Sequence, residues 1–349
     1  MLAAVTPTNL ESERRRLLRE LERGDTPVPR FVYAPAPRTE LRRTVEVMLR
    51  EVSSVVGGEL LEVYRARIEE LDLEAQLAEA AGTRPIAEHA RARFGEKDVA
   101  LRTQASDLAA EWLKIPPPRR SSSPSSTARR IMSDANDPDS LLSEMRRQIG
   151  VLRLPFHVEV GESLSCRAAA GERTIWVCKG RPLTTAETGR TVVHEIFGHA
   201  LPRARATHQV PIFSIGTARG ADDQEGLALL AEERAGLLDD ARRRELAARH
   251  WAAERMAAGA SFGDLVLPLV FDYGLSKDAA LGVAERAFRG SDGKGAGIGR
   301  ERVYIGAWLK LRAHLAQRPF DEEVLASGQV ALSAVGALSA VFRTPRCLA

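Results

Sequence analysis

The stretch TVVHEIFGHALP, residues 191–202, decides how the rest of this chain is interpreted. Its apolar spacing predicts a helix, and it contains His194, Glu195 and His199. Successive residues of an α-helix are rotated by about 100°, so side chains five apart point about 140° away from each other. A regular helix would therefore separate the two imidazoles, and the pattern fits either a metal site or a core helix with polar partners.

One extra residue in a helical turn, a π-bulge, would bring the imidazoles together again. Such bulges are rare and occur disproportionately at functional sites. Gly198 would ease the bulge, whereas glycine in a helix built only for packing costs about 1 kcal/mol relative to alanine. A catalytic zinc needs three protein ligands. Glu225, in DDQEGLALLAEE (222–233), is the candidate third ligand, and Gly226 is predicted to let its helix pack closely against the histidine helix.

The composition bounds the class of protein. The 349 residues are 44% hydrophobic, which is enough to form a sizeable core. Since no long apolar run and no apolar leader is seen, we expect a soluble, cytoplasmic protein with no membrane partner. The cysteines Cys166, Cys178 and Cys347 are scattered and predict no disulfide framework. A net charge of +3 is too small to favour a nucleic-acid partner.

Four regions are predicted along the chain. Residues 1–37 predict an exposed N-terminal helix followed by an extended segment, and residues 38–115 predict a helical region with a break at Gly57. Residues 116–140 are rich in proline, serine and arginine, which predicts a flexible loop or linker. Residues 141–349, which contain the histidine helix and Glu225, are predicted to form the catalytic region around the candidate zinc site.

The segment after the predicted linker favours β structure. FHVEVGES (156–163) and CRAAAGERTIWVC (166–178) predict two or three strands, because β-branched and aromatic residues are concentrated there. Thr184 precedes the histidine helix and predicts its N-cap. One further long helix is predicted from about Asp222 to His250. The expected fold class is α+β, predominantly helical, with a small β-sheet preceding the metal-binding helix.

The motifs HEIFGH (194–199) and QEGLA (224–228) together resemble those of the QEGLA-motif family, whose bacterial members are called flavohaemoglobin expression-modulating QEGLA motif proteins. That family is similar to the eukaryotic microtubule-associated tyrosine carboxypeptidases, zinc enzymes that remove the C-terminal tyrosine of α-tubulin. Its members share the HExxxH spacing. The likeness covers most of the chain from about residue 40 onward.

The resemblance implies a zincin-like metallopeptidase with one Zn²⁺ per chain. His194, His199 and Glu225 match the zinc ligands, and Glu195 matches the catalytic base. The implied reaction is removal of a C-terminal residue, of tyrosine or glutamate type, from a peptide or protein. Phe197 stands where relatives have glycine, so substrate recognition is expected to differ from theirs.

A carboxypeptidase must also hold the terminal carboxylate of its substrate. Arginine does this best because its planar guanidinium can bond both oxygens. The favoured candidates are Arg300 and Arg289, which flank a glycine-rich loop, and Tyr304 is a candidate donor to the developing oxyanion. Further candidates are Arg203 and Arg219 for the carboxylate, and Asp222, Asp223 and Glu232 as partners of the ligating imidazoles.

Two other functions remain open. The chain fits a zinc amidase or endopeptidase acting on internal or non-peptide amides. It also fits a non-catalytic regulatory or interaction protein, in which a metal would be structural or absent. The segment GSDGKGAGIG (290–299) lacks the spacing of a phosphate-binding loop, so no nucleotide cofactor is expected.

Overall fold

The chain folds into two compact units, each built from two separate stretches. The computed structural model describes residues 3–117, 129–162, 164 and 166–342. The first unit comprises Met1–Pro118 and Asp240–Gly306, and the second comprises Arg119–Asp239 and Ala307–Ala349. The predicted catalytic region 141–349 therefore contributes residues to both units.

The first unit is built mainly of α-helices, and a 3-10 turn at Arg300–Arg302 precedes its end. The helical region predicted here forms, and the break expected at Gly57 lies beside Gly58, whose φ is +64°. Val45, Val52 and Ile68 are buried in one apolar cluster. The helices are α1 (Leu10–Arg23), α2 (Thr39–Val55), α3 (Glu59–Glu79), α4 (Ile86–Phe94), α5 (Val99–Leu113), α11 (Asp240–Ala257), α12 (Phe262–Phe271) and α13 (Lys277–Ala287).

Helix α1 is less exposed than its charged sequence predicts. Leu17 and Leu21 are buried, with 0% and 3% of their surface exposed. On the same helix, Arg14 donates from Nε to Glu285 Oε2 of α13 at 2.9 Å. The helix is therefore amphipathic: Leu17 and Leu21, a helical turn apart, face the core, while most of its charged residues are exposed or half-buried.

The second unit combines two small sheets with helices. A two-stranded sheet pairs β1 with β5 antiparallel, and a three-stranded sheet has the order β2-β4-β3. Its elements are β1 (Arg130–Met132), α6 (Leu141–Val151), β2 (His157–Gly161), β3 (Ala168–Ala170), β4 (Thr174–Cys178), β5 (Pro182–Thr184), α7 (Thr185–Val193), a π-helical segment (His194–Ala200), α8 (Leu201–Ala206), α9 (Pro211–Ile215), α10 (Gly220–Arg234), α14 (Val303–Gln317), which begins in the first unit, α15 (Asp321–Leu325) and α16 (Val335–Ser339).

The predicted fold class, α+β and predominantly helical, is confirmed, and so are the strands before the histidine helix. Strand β2 pairs parallel with β4, and β3 pairs antiparallel with its other edge. Buried residues of this sheet, such as Ile175 and Val177, share one core with Val192 and Ile196 of the histidine helix. The sheet thus fixes the position of that helix through apolar packing.

Two boundaries differ from the sequence expectations. Residues 118–128 of the predicted linker lie outside the described residues, but Ile131 is buried in β1, so the end of the predicted loop is ordered. The long helix expected from Asp222 to His250 is two helices, because Gly236 adopts a φ of +70° and its N–H bonds to Glu233 O at 3.0 Å. A glycine at this position commonly ends a helix.

The histidine helix begins as predicted. Thr184 Oγ1 accepts the N–H of Glu187 at 3.2 Å, and Glu187 Oε2 accepts the N–H of Thr184 at 2.9 Å. This reciprocal pair satisfies backbone donors that a helix start leaves open. Across the described ranges, no helix is both long and apolar enough to cross a membrane.

His250 is a packing histidine in the first unit. It is 2% exposed, and its Nε2 lies 3.3 Å from Ser106 Oγ. Burial, together with the positive charge of Arg302, lowers the pKa of His250 to about 4. The imidazole is therefore neutral in the folded protein at pH values where an unfolded chain would protonate it.

We expect this histidine to make the protein less stable in mild acid. The unfolded chain takes up a proton near pH 6.5 and the folded chain only near pH 4, so stability is lost as the pH falls between these values. From pH 7 to pH 5 the loss from this group is roughly 2 kcal/mol. Denaturant unfolding of wild type and His250→Gln at both pH values measures it. An equal pH dependence in the two proteins would contradict the assignment.

Candidate metal centre

The predicted π-bulge is present. Residues His194–Ala200 form a π-helical segment between α7 and α8, and the N–H of Leu201 bonds to the carbonyl of Ile196, five residues earlier. The wider turn brings the two imidazoles to the same side of the helix, with ring centroids 5.1 Å apart. The spacing that would separate histidines on a regular helix therefore brings them together here.

Three side chains converge at this turn. His194 Nε2 lies 3.2 Å from Glu225 Oε2, and His199 Nε2 lies 3.8 Å from the same oxygen. One ligand atom from each residue can be chosen so that all lie within 4.8 Å of one another. Ligands about 2.1 Å from a tetrahedral metal are about 3.4 Å from each other. The donor set therefore fits a metal ion with little rearrangement.

Each imidazole is oriented by its other nitrogen. His194 Nδ1 lies 2.7 Å from Glu232 Oε1, whose residue is 0% exposed. His199 Nδ1 lies 3.0 Å from Gln224 Oε1. Oxygen atoms of this kind only accept, so both Nδ1 atoms carry a hydrogen, and Nε2 of a neutral imidazole is left as the metal-facing atom.

The electrostatics around His194 favour a positive charge. Burial alone lowers the pKa of His194, but its hydrogen bonds and charge interactions with Glu225 and Glu232 outweigh burial and raise the pKa to about 10. Two buried carboxylates therefore flank this imidazole. A site of this kind is stabilised by a proton or by a metal cation.

Glu195 follows the first histidine and is 9% exposed. Its Oε2 accepts the backbone N–H of Ala170 at 3.0 Å. Ala170 belongs to β3, which lies at the edge of the three-stranded sheet. Burial raises the pKa of Glu195, while the charges of His199 and His194 oppose this effect. The sheet edge thus holds one oxygen of this carboxylate in place.

A close contact between two helices positions Glu225. A Cβ atom on Gly198 would lie 2.3 Å from Ala228 Cβ and 2.9 Å from Ala228 Cα, closer than real side chains approach. Gly226, which was expected to make this contact, instead faces Ala307, where a Cβ would lie 2.7 Å from the carbonyl carbon. The sequence expectation was therefore wrong about which glycine allows α10 to approach the histidine helix.

We expect Gly198→Ala to disrupt the site. The added methyl must push α10 away, which moves Glu225 from the histidines, so zinc affinity should fall at least tenfold and the melting temperature should fall. Gly189→Ala is the matched control, because a Cβ at Gly189 on α7 meets nothing within 4 Å. Zinc titration and thermal unfolding of both variants test this. Equal zinc affinity in the two variants would argue that the close contact between Gly198 and Ala228 does not determine the position of Glu225.

Only some of the carboxylates predicted to orient the imidazoles contact them. Of the three predicted imidazole partners, Glu232 makes the contact described above. Asp223 instead lies 2.5 Å from Lys310 Nζ and accepts the N–H of Leu332 at 2.7 Å.

Gln224 and Ala170 were missed by the sequence reasoning. Gln224 belongs to the motif QEGLA and could have been found there, whereas a backbone donor leaves no signal in the sequence.

The favoured substrate-binding candidates lie in the first unit. Arg300 Nη1 donates to Tyr304 Oη at 3.4 Å, and its guanidinium carbon lies 5.8 Å from the centre of that ring. Burial lowers the pKa of Arg289, as does the nearby Arg286. Glu301 is 3% exposed among these arginines. The first unit thus contains a group of guanidinium side chains around one buried carboxylate.

The two other arginine candidates differ in their settings. Arg203 belongs to the second unit and lies four residues after His199, and burial lowers its pKa while Glu172 opposes the effect. Arg219 precedes α10 with a φ of +59°. Arg203 is therefore the one of the two that shares a helix face with a candidate ligand, since residues four apart are neighbours on a helix.

A family model described as microtubule-associated tyrosine carboxypeptidase matches residues 21–345. The chain belongs to this family. A comparison with curated proteins found no match. The match confirms the resemblance to the tyrosine carboxypeptidases, and membership in this carboxypeptidase family implies a hydrolase acting at a C-terminus. The narrower resemblance to the QEGLA-motif proteins stays a prediction.

Within this carboxypeptidase-family chain, we expect Glu232→Gln to weaken metal binding. The amide still accepts the hydrogen of His194 Nδ1 but removes a negative charge beside it, so zinc affinity should fall about tenfold. Glu233→Gln is the control, because Glu233 Oε2 accepts from Trp308 Nε1 at 3.0 Å instead. Competition with a chromophoric chelator measures both. A larger loss in the control would show that Glu232 has no special role.

Proposed function

We propose that this chain is a zinc-dependent carboxypeptidase that hydrolyses the C-terminal peptide bond of a peptide or protein. The observation that carries the proposal is the convergence of His194, His199 and Glu225, whose ligand atoms lie within 4.8 Å of one another in a chain of a carboxypeptidase family. Two histidines and one glutamate, with a further position open to water, are a common ligand set of catalytic zinc.

This geometry supports a role for each of the residues. The three ligands would hold the ion, which supplies Lewis-acid activation of water and of the scissile carbonyl. Glu195 accepts a proton as the water oxygen attacks the carbonyl carbon, and it delivers the proton to the leaving amine as the C–N bond breaks. The N–H of Ala170 orients its carboxylate for this transfer.

The zincin-like architecture is part of the proposal. Its support is a small sheet whose edge strand β3 contacts the metal-helix glutamate, followed by a helix, α10, that brings the third ligand. Strand β3 and the histidine helix share one apolar core, and α10 packs against the histidine helix at Gly198.

The sequence prediction that Arg300 and Arg289 hold the terminal carboxylate, and Tyr304 the oxyanion, can be tested by mutation. Peptides with a free or an amidated C-terminus separate these roles, because an amide cannot form a bidentate ion pair. Arg300→Gln and Arg289→Gln should lose the preference for the free acid, with Arg203→Gln as comparison. If Arg203→Gln alone loses it, the assignment moves to that residue.

The decisive experiment combines metal content with turnover. We expect about one zinc per chain in wild type and in Glu195→Gln, and loss of zinc in His199→Ala and in Glu225→Ala. Glu195→Gln should lower kcat at least about 100-fold, because general acid–base catalysis contributes about 100- to 10,000-fold.

Three outcomes would count against the proposal. Full activity in Glu195→Gln would show that Glu195 is not the general base. A wild type that takes up no zinc on reconstitution would favour a regulatory or binding protein. Equal cleavage of amidated and free peptides would favour an amidase or endopeptidase.

A further inference from the structure

The imidazole of His199 is held by two amide side chains in series. Gln224 is 1% exposed, and its Oε1 lies 3.0 Å from His199 Nδ1. Gln329 donates from Nε2 to the same Oε1 at 3.3 Å. Gln329 follows α15 and is 105 residues from Gln224 in sequence, but both belong to the second unit. The chain therefore brings a distant donor to the amide that orients this histidine.

The direction of the Gln224 amide decides what His199 can bind. An amide has one accepting end and one donating end. With Oε1 towards His199, Nδ1 carries the hydrogen and the lone pair of Nε2 faces Glu225. With the NH₂ towards His199, Nδ1 must accept and the hydrogen moves to Nε2. The imidazole then has no lone pair for a metal at that atom.

His194 has no such ambiguity. Its partner Glu232 is a carboxylate, both of whose oxygens accept, so rotation of that group leaves the same tautomer. The partner of His199 is a reversible amide, so a second contact is needed to select one direction. Gln329 meets this need when its Nε2 faces Gln224, as it does here, because only the Oε1 end of Gln224 can accept from that atom.

The backbone around Gln329 is fixed independently of its side chain. The N–H of Thr217 bonds to Gln329 O at 2.9 Å. A Cβ on Gly220 would lie 1.9 Å from the same oxygen, so the segment docks tightly on the turn before α10. Substitution of the side chain should therefore leave this docking intact.

We propose that Gln329 is a positioning residue, which fixes the accepting end of Gln224 on His199 and so keeps Nε2 of His199 available to the metal. The inference rests on the proposed function, because it takes His194, His199 and Glu225 as the ligands. It goes beyond that function in assigning metal affinity to a residue outside both motifs.

Three substitutions of Gln329 separate this role from simple electrostatics. In Gln329→Glu the side chain can only accept, so it turns the Gln224 amide round, and zinc affinity should fall at least tenfold. Gln329→Lys can only donate and should stay within about twofold of wild type, and Gln329→Met, which does neither, should lie between them. Coulomb interaction alone predicts the reverse order, since added negative charge attracts zinc and added positive charge repels it.

The measurements are the zinc dissociation constant, from competition with a chelator, and the tautomer of His199 in the metal-free protein, from ¹⁵N NMR. We expect hydrogen on Nδ1 in wild type and on Nε2 in Gln329→Glu. Melting of the metal-free proteins shows whether each variant folds. If the glutamate variant does not fold, weaker zinc binding by the methionine variant than by the lysine variant supports the inference.

Two results would overturn it. Equal zinc affinity in all folded variants would show that Gln329 does not position the site, while leaving the proposed function intact. The electrostatic order, with the glutamate variant tightest, would do the same. A wild type that binds no zinc would instead refute the proposed function itself.

Discussion

The candidate centre depends on one backbone hydrogen bond pattern, the π-helical turn at His194–Ala200. The carbonyl of Ile196 accepts from Leu201 rather than from the residue before it, and this single shift rotates His199 back towards His194. The same turn presents Gly198 to Ala228, so the widening that aligns the histidines also admits the helix carrying Glu225. Ligand alignment and helix packing therefore have a common origin.

Charge is distributed unevenly around this turn. His194 lies between two carboxylates, whereas Nδ1 of His199 contacts a neutral amide. A second charged partner would have added a further buried negative charge, and each buried charge without full compensation costs several kcal/mol. The amide of Gln224 orients His199 without that cost. Because its oxygen and its nitrogen differ, a further contact is needed to fix which of them faces the imidazole.

The sequence predicted the parts of the site that follow local rules. The five-residue spacing suggested a bulge, Thr184 and an early glutamate indicated a capped helix start, and the β-branched and aromatic residues of β4 predicted a strand. It failed where one residue overrides a long pattern, as at Gly236, which ends a helix inside a continuous helical periodicity. Contacts such as Ala170 with Glu195 or Gln329 with Gln224 join residues far apart in the chain, and no local pattern encodes them.

The interleaving of the two units has a consequence for how the chain is made. Residues 240–306, which complete the first unit, are synthesised after the candidate ligands at 194–225 and before residues 307–349, which complete the second. During synthesis, both histidines therefore leave the ribosome well before the segment that contains Gln329. The sequence of the first unit is therefore complete before that of the second. Under the proposed function, a polypeptide that ends before residue 307 would carry the candidate ligands without Gln329 and the segment that completes the second unit.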